Sequence, residues 1–535
     1  MIMNLRSLQN KAGWNAAGIS QPRYDIGAMV AETKASPIWV HFGAGNIFRG
    51  FIAALQQRLL NEGHAEKGII AAETFDCEII DKVYVPFDNL TMNVTLNPDS
   101  TTNCEIIASV AEALKTDSRN HASRLAEIFE APSLQMASFT ITEKGYSIRG
   151  ANSNPTPEAM ADMEHGPAHA RHAMGIAAAL LQKRYLAGAY PIAAVSMDNC
   201  SRNGEKLKAG VVGIAKEWLA NGFADGGFIS YLEDESKVSF PWSMVDKITP
   251  RPAKTVEDIL AGKGIEGMTP IVTGKNTYIA PFVNAERPQY LVIEDKFPNG
   301  RPPLEKAGVY MTDFDTVGKT ERMKVTTCLN PLHTAMSLYG CLLGYTLICE
   351  IMKDAGIVAL IRRLGYVEGL PVVTDPGILS PKSFIDEVMN ERLPNPFIPD
   401  DPRRIATDTS QKVGVRFGET IKSYMEQGRG LEELVSIPLS IAGWMRYLLA
   451  VDDNGGAMEV SSDPMKDDLQ AHLAGIIWND PSSYRGELRQ ILANPAIFGS
   501  DLTKTVLADK IEKIFLELLA GPGAVRVTLR KYLEL

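Results

Sequence analysis

Between Glu321 and His333 the chain gathers, in one short stretch, side chains that can move protons and hold charge: Glu321, Lys324, Asn330 and His333. On a helix Asn330 and His333, three apart, share a face, and Lys324 just upstream can reach the same pocket. An amine or an imidazole can act as acid or base, and a carboxamide can hold an anionic oxygen. The residue types alone leave a plainer alternative open: a helix start with a hydrogen-bonded core histidine.

A second place of interest is His41-Phe-Gly43-Ala-Gly45-Asn46-Ile-Phe48-Arg49-Gly50. It follows a short apolar run, Ile38 to Phe42, and precedes helical spacing at Phe48, Phe51, Ile52, Leu55 and Leu59. Gly43 permits a tight turn, and Gly45 lets the backbone approach a pyrophosphate at the helix N-terminus, next to Asn46 and Phe48. Arg49, one turn into the helix, offers a charged contact. The glycine spacing is longer than the usual dinucleotide fingerprint. Glu73 closes the next apolar run, where a carboxylate accepts hydrogen bonds from an adenosine ribose and repels a 2′-phosphate, favouring NAD over NADP. Asp76 competes for that role. His165, His169 and His172 carry a spacing that suits zinc ligands on one helical face. Gly166 and Pro167 interrupt that helix and no cysteine or carboxylate completes the set, so no metal is expected.

These residues need elements to position them. Strand, glycine turn, helix and strand over 38–73 form the unit that opens a dinucleotide-binding sheet. Further strands are expected at 105–110, 136–142 and 192–196, with helices at 172–187 and 204–219. That alternation gives a mostly parallel sheet covered by helices. From 326 onward the texture is helical, with amphipathic runs at 421–427, 430–449 and 503–519. The fold class is therefore α/β, with a Rossmann-like N-terminal domain over 1–300 and a mostly α-helical C-terminal domain over 301–535. The boundary is set at the proline-rich Phe297–Pro303 segment.

Composition narrows the partners. A length of 535 residues exceeds one compact core. A net charge of -10 and the lack of a basic stripe argue against nucleic acid or an anionic membrane. Six cysteines without a C-x-x-C pair read as reduced thiols, and residues 1–18 lack the apolar core of a secretion signal, so a cytoplasmic location is expected. The uncharged run 331–349 contains a histidine and two glycines and reads as a core helix rather than a membrane span.

Taken in order, several motifs resemble the long-chain mannitol dehydrogenase family of polyol and sugar-acid oxidoreductases. They include VHFGAGNIFRGF at 40–51, TITEKGY at 140–146, SMDNCSRNG at 196–204, FPWSMVDKITP at 240–250, LNPLH at 329–333, RIATDTSQK at 404–412 and IAGWMRYLLAVDDNGG at 441–456. The resemblance implies metal-free hydride transfer between NAD and a small sugar acid or polyol, by a monomer or weak oligomer. It makes Lys324 the acid–base, Asn330 and Asn199 the oxyanion amides, and His333 the residue that positions a substrate hydroxyl. Asp246, Arg404 and Lys412 become substrate contacts, and Glu143 and Glu321 belong to the proton route. The match departs at one point. The family places five steps between lysine and asparagine, whereas Lys324 to Asn330 is six. Either the connecting turn holds an extra residue, or Lys319 or Arg322 takes the lysine's place, and arginine is a poor acid at neutral pH. A dinucleotide-binding sensor that kept the fold is the reading from a different class.

Overall fold

The computed structural model describes residues 1–150 and 152–535. The chain divides into two compact units: Met1–Asn97 with Thr101–Val317, and Pro98–Ser100 with Gly318–Leu535. The division therefore falls later than the Phe297–Pro303 segment. The reason lies in strand Tyr310–Thr312, which pairs with Tyr290–Glu294 and keeps the chain in the first unit beyond the prolines.

Among the described residues, the first unit is organised by a six-stranded sheet. Its strands are β1 (Trp39–Phe42), β2 (Ile69–Glu73), β3 (Val110–Lys115), β4 (Met136–Phe139), β5 (Ile192–Ser196) and β6 (Val238–Ser239). Every neighbouring pair is parallel, and the spatial order is β3-β2-β1-β4-β5-β6. That is the doubly wound order, in which the chain reverses direction across the sheet between β1 and β4 and leaves a crevice at their carboxyl ends. Successive residues of the strands feed two separate apolar layers. Val40, Phe42, Ile70 and Ala72 pack on one face, and Trp39, Ile69, Ala71 and Met136 on the other. Both faces are buried, as a parallel sheet requires.

Three helices that matter for the site connect these strands: α1 (Ala53–Asn61), α2 (Ala173–Gly188) and α3 (Asn203–Ala220). The helical path into α1 begins at residue 46 and widens over Phe48–Ile52. The expected strand at 105–110 is in fact two. Thr102–Ile107 pairs with Thr91–Leu96 and Ile19–Ser20 in a second sheet, and β3 begins at Val110 in the main one. All three sheets other than the six-stranded one contain an antiparallel pair, so the unit is less uniformly parallel than alternation alone suggests. Strand Ser243–Asp246 lies in one of them, paired with Tyr290–Glu294.

The second unit is helical. Helix α4 (Phe314–Met323) leads into a wide turn, Lys324–Cys328, and then α5 (Asn330–Leu342). Helix α6 (Ser436–Leu448) starts later than the expected run at 430, because Glu368 fixes its first turn. The buried Glu368 carboxylate accepts hydrogen bonds from the backbone N–H groups of Val435, Ser436 and Ile437 at 2.9, 2.7 and 2.9 Å. A carboxylate at this position satisfies donors that the helix cannot pair itself and complements its dipole. Helix α7 (Leu507–Leu518) packs along α6. No helix among the described residues is long and apolar enough to cross a membrane.

Candidate active site

The glycine turn sits at the carboxyl end of β1, beside the point where the sheet order reverses. Gly43 has φ +101°, and a Cβ there would lie 2.1 Å from the Thr140 carbonyl oxygen on the segment after β4. Only glycine fits. A Cβ on Gly45 would meet no atom among the described residues within 4 Å, so the backbone is open on that side at the mouth of the helix. The third glycine of the motif, Gly50, has another purpose. A Cβ on it would press to 2.6 Å of Val283 Cγ1, so it brings the helix against strand Phe282–Glu286.

Beneath the turn runs a buried polar chain. Trp39 Nε1 donates to Ser138 Oγ at 2.7 Å, and His41 Nδ1 lies 2.6 Å from the same oxygen. His41 Nε2 lies 2.8 Å from Thr140 Oγ1, which donates to the Gly43 carbonyl at 3.3 Å. Since Thr140 donates onward, it accepts from His41. The ring proton therefore sits on Nε2, and Ser138 donates to Nδ1. Burial pushes the His41 pKa down to about 3, so the ring is neutral at physiological pH. Phe48 stacks on it at 4.3 Å between ring centroids. Because the folded form binds its proton only near pH 3 and the unfolded one near 6.5, stability is full above pH 6.5 and declines as pH falls below it. The loss attributable to His41 between pH 7 and 5 is about 2 kcal/mol. Chemical unfolding of wild type and His41→Gln across that range checks this; equal slopes in the two proteins would remove the assignment.

The side chains expected around a cofactor fall into two groups. Asn46 is half-exposed beside the turn, and its Oδ1 accepts from Arg49 Nη2 at 2.8 Å. Phe48 and Arg49, expected beside the cofactor and in the case of Arg49 as a charged contact, are both fully buried. Its Nη1 donates to the Ala280 carbonyl at 2.8 Å, and burial lowers its pKa to about 10. Arg49 and Phe48 brace the turn from below. Glu73 is buried too. Its Oε2 accepts from Ala44 N at 2.7 Å, and its Oε1 from Phe75 N and Asp76 N at 2.8 and 3.2 Å. Desolvation raises the Glu73 pKa, against the pull of these backbone donors. Its carboxylate thus ties the glycine turn to the end of β2. Asp76 accepts a 2.5 Å hydrogen bond from Thr273 Oγ1 and is equally enclosed.

Asn199 follows β5 in the Met197-Asp198-Asn199 segment. Asp198, which was not singled out from sequence, organises this corner. Its carboxylate accepts from Ile141 N at 2.8 Å, Thr142 N at 3.2 Å and Tyr146 Oη at 2.6 Å. It therefore ties the segment of Asn199 to the one bearing Glu143. Burial raises the pKa of Asp198, and those three donors offset part of the rise. Asn203 completes the lock. Its Nδ2 donates to the Ser243 carbonyl at 2.9 Å, and its Oδ1 accepts from Ser243 N at 3.0 Å, at the start of the strand ending in the buried Asp246. Asn199, Glu143 and Asp246 thus belong to one braced region of the first unit. Glu143 points outward and pairs with Lys206 at 2.5 Å.

In the second unit, all thirteen residues of α5 are buried save Asn330 and His333. Lys324 opens the wide turn that precedes them and is 3% exposed. A turn of this type closes its hydrogen bonds one residue later than an α-helix, so it accommodates one residue more. That is the room the six-step spacing from Lys324 to Asn330 needs. Lys319 is exposed, and Arg322 is paired with Glu419 at 3.0 Å. Glu321 lies half-buried one turn before Lys324.

His333 Nε2 lies 3.2 Å from Asp400 Oδ2, at an angle short of a hydrogen bond. Burial lowers the His333 pKa, with Asp400 opposing and Arg404 and Arg416 adding to the fall. The other Asp400 oxygen accepts from Arg404 Nε and Nη2 at 2.9 and 2.5 Å. Burial works to raise the Asp400 pKa, but pairing with His333 and Arg404 holds it below the usual range. Asp400 therefore orients both predicted residues. Its four-residue spacing from Arg404, common to any helical surface pair, does not by itself mark it out. Lys412 donates to the Thr407 carbonyl, and its pKa is lowered by burial and then by the charges of Arg416 and Arg404. Arg416 donates to Thr334 Oγ1 on α5. It is a third cation of the group and was missed because no motif marks it.

The histidines weighed as metal ligands sit at helix ends. His165 closes the helix Pro157–His165, its Nδ1 near the Ala161 carbonyl, while His172 Nδ1 accepts from Met174 N and caps α2.

Comparison with known proteins agrees with this architecture. Residues 37–306 match the family model of the mannitol dehydrogenase Rossmann domain, and residues 316–519 that of the mannitol dehydrogenase C-terminal domain. The chain is 51% identical over 535 residues to a D-mannonate oxidoreductase of Thermotoga maritima, covering 99% of both chains. A substrate-free crystal structure of D-sorbitol dehydrogenase superposes with a TM-score of 0.82 at 25% identity, covering 99% of this chain and all of the other. A ternary complex of Pseudomonas fluorescens mannitol 2-dehydrogenase with NAD and D-mannitol gives 0.70 at 25% identity over the whole of both chains. Matched along both of its halves and throughout its length, the chain belongs to the mannitol dehydrogenase family of oxidoreductases.

Proposed function

We propose that this enzyme is a fructuronate reductase, interconverting D-fructuronate and D-mannonate with NADH and NAD in the cytoplasm. The observation that carries the reading is α5: a helix buried everywhere except at Asn330 and His333, entered through a widened turn that begins at the buried Lys324. The Thermotoga relative, named D-mannonate oxidoreductase, supports the substrate. So does the cation group of Arg404, Lys412 and Arg416, which suits a carboxylate.

The glycine turn fits a dinucleotide. Gly43 makes the bend, Gly45 leaves room for a pyrophosphate, and the helix from Asn46 directs unpaired N–H groups and its positive end toward it. When bound, NADH supplies the hydride for the keto carbon. The residues do the rest. Asn199 and Asn330 donate hydrogen bonds to the carbonyl oxygen as negative charge grows there. Lys324 passes a proton to that oxygen, completing the alcohol, and takes it back in the oxidative direction. His333, held by Asp400, accepts or donates to a substrate hydroxyl, and Asp246 borders the reacting carbon. Glu321 and Glu143 return the proton to solvent. Glu73 and Asp76 shape the ribose end and place negative charge where a 2′-phosphate would lie.

A panel of D-fructuronate, D-tagaturonate and D-fructose with NADH and NADPH tests the assignment. D-Fructuronate with NADH is expected to give the highest kcat/KM. Faster turnover of D-fructose would make the enzyme a mannitol-type 2-dehydrogenase, and faster D-tagaturonate would shift it to the epimeric keto-acid. Since a lysine does the acid–base work, exhaustive chelation is expected to leave kcat unchanged. A loss restored by added zinc would contradict that chemistry.

A further inference from the structure

The first unit contains a polar cavity of about 410 Å³ that the catalytic residues do not line. Its wall is the outer face of the helix that follows the glycine turn, from Gly50 and Ala54 to Arg58 and Asn61. At 1.5 Å rise per residue, Arg58 lies about 20 Å along from Gly45, so this is not the pyrophosphate cradle. Four cations, Arg23, Arg58, Lys247 and Arg287, converge on it from separate parts of the chain, against the carboxylates of Glu62 and Glu105. Arg58 spends one of its five donors on the Ala307 carbonyl, and Lys247 is steered by the Glu286 carbonyl and by Gln289 Oε1 at 3.2 Å. The floor carries a second, independent feature. Asn93 is 7% exposed, and its Oδ1 has no hydrogen-bond partner among the described residues. A buried amide oxygen left unsatisfied is rare and calls for a donor. Cations at the mouth and an acceptor at the base select a ligand that is both anionic and hydroxylated.

We infer that this cavity is a binding site for a small polyhydroxylated anion, a carboxylate or a phosphate ester, separate from the reaction site. The anionic group lies among the arginines and Lys247, and a hydroxyl donates to Asn93. The test is calorimetric titration of the full chain with D-gluconate and with D-glucose 6-phosphate, at ionic strength matched by potassium chloride, since screening weakens such contacts. The background is an Arg404→Ala/Lys412→Ala variant, which removes the cations proposed for the substrate carboxylate and keeps the two sites distinguishable. One saturable site is expected for at least one probe. Adding Arg23→Ala and Arg287→Ala, both exposed at the rim, is expected to weaken it at least tenfold, and Asn93→Ala to weaken it severalfold. Which probe binds more tightly tells carboxylate from phosphate ester. Binding of neither probe, or binding unchanged in the rim variant, overturns the inference.

Discussion

Replacing Lys324 with alanine is expected to lower kcat for ketone reduction by about 10²–10⁴-fold, the range that a positioned acid contributes, while the dissociation constant for NADH changes little. The expectation rests on placement. Lys324 is buried at the head of a widened turn, six and nine residues before an asparagine and a histidine that are the uncovered residues of their helix. Lys319 is exposed and Arg322 is paired with Glu419, so neither of these stands ready to replace it. Lys324→Arg should fail almost as fully, because a guanidinium holds its proton far too tightly. Stopped-flow hydride transfer and fluorescence titration of NADH separate the chemical from the binding effect. Near-normal turnover in Lys324→Ala would show that another group supplies the proton.

The second large effect concerns the glycine turn. Gly43→Ala places a methyl group 2.1 Å from the Thr140 carbonyl at φ +101°, so both the backbone and the segment after β4 must move. Strain of this kind costs on the order of 1–3 kcal/mol before the steric conflict is counted. The displaced turn should also lose at least tenfold in NADH affinity. Gly45→Ala makes the contrast. With no atom among the described residues within 4 Å of the new methyl, its unfolding transition should match wild type, while NADH binding weakens because the methyl occupies room meant for the pyrophosphate. Equal thermal stability in Gly43→Ala and wild type, or undiminished NADH affinity in both variants, would count against the turn as cofactor cradle.

Much of the framework was legible as periodicity. Strand Ile192–Ser196 and the helices at 173–188 and 203–220 are local patterns that need no knowledge of their neighbours. The split of the strand expected at 105–110 was not legible. Apolar residues flank Ser109 on both sides, and pairing with different partners separates the two strands. Glu73 illustrates the same limit at the site. Its position at the end of β2 marked it as important, but not that its carboxylate holds the glycine turn through Ala44 N. Asp198 and Asp400 were passed over because an orienting carboxylate has no motif of its own. Its role exists only once Ile141 and Tyr146, or His333 and Arg404, are brought to it by the fold.

The widened turn from Lys324 to Cys328 also bears on how such enzymes diverge. On the proposed role of Lys324, a turn that closes its hydrogen bonds one residue late has room for one in-frame codon more between amine and amide. Counting positions along the gene is then a poor ruler for the distance between functional groups. A pattern written with rigid spacing would overlook this chain, whereas one that lets the ruler stretch by a codon would retain it.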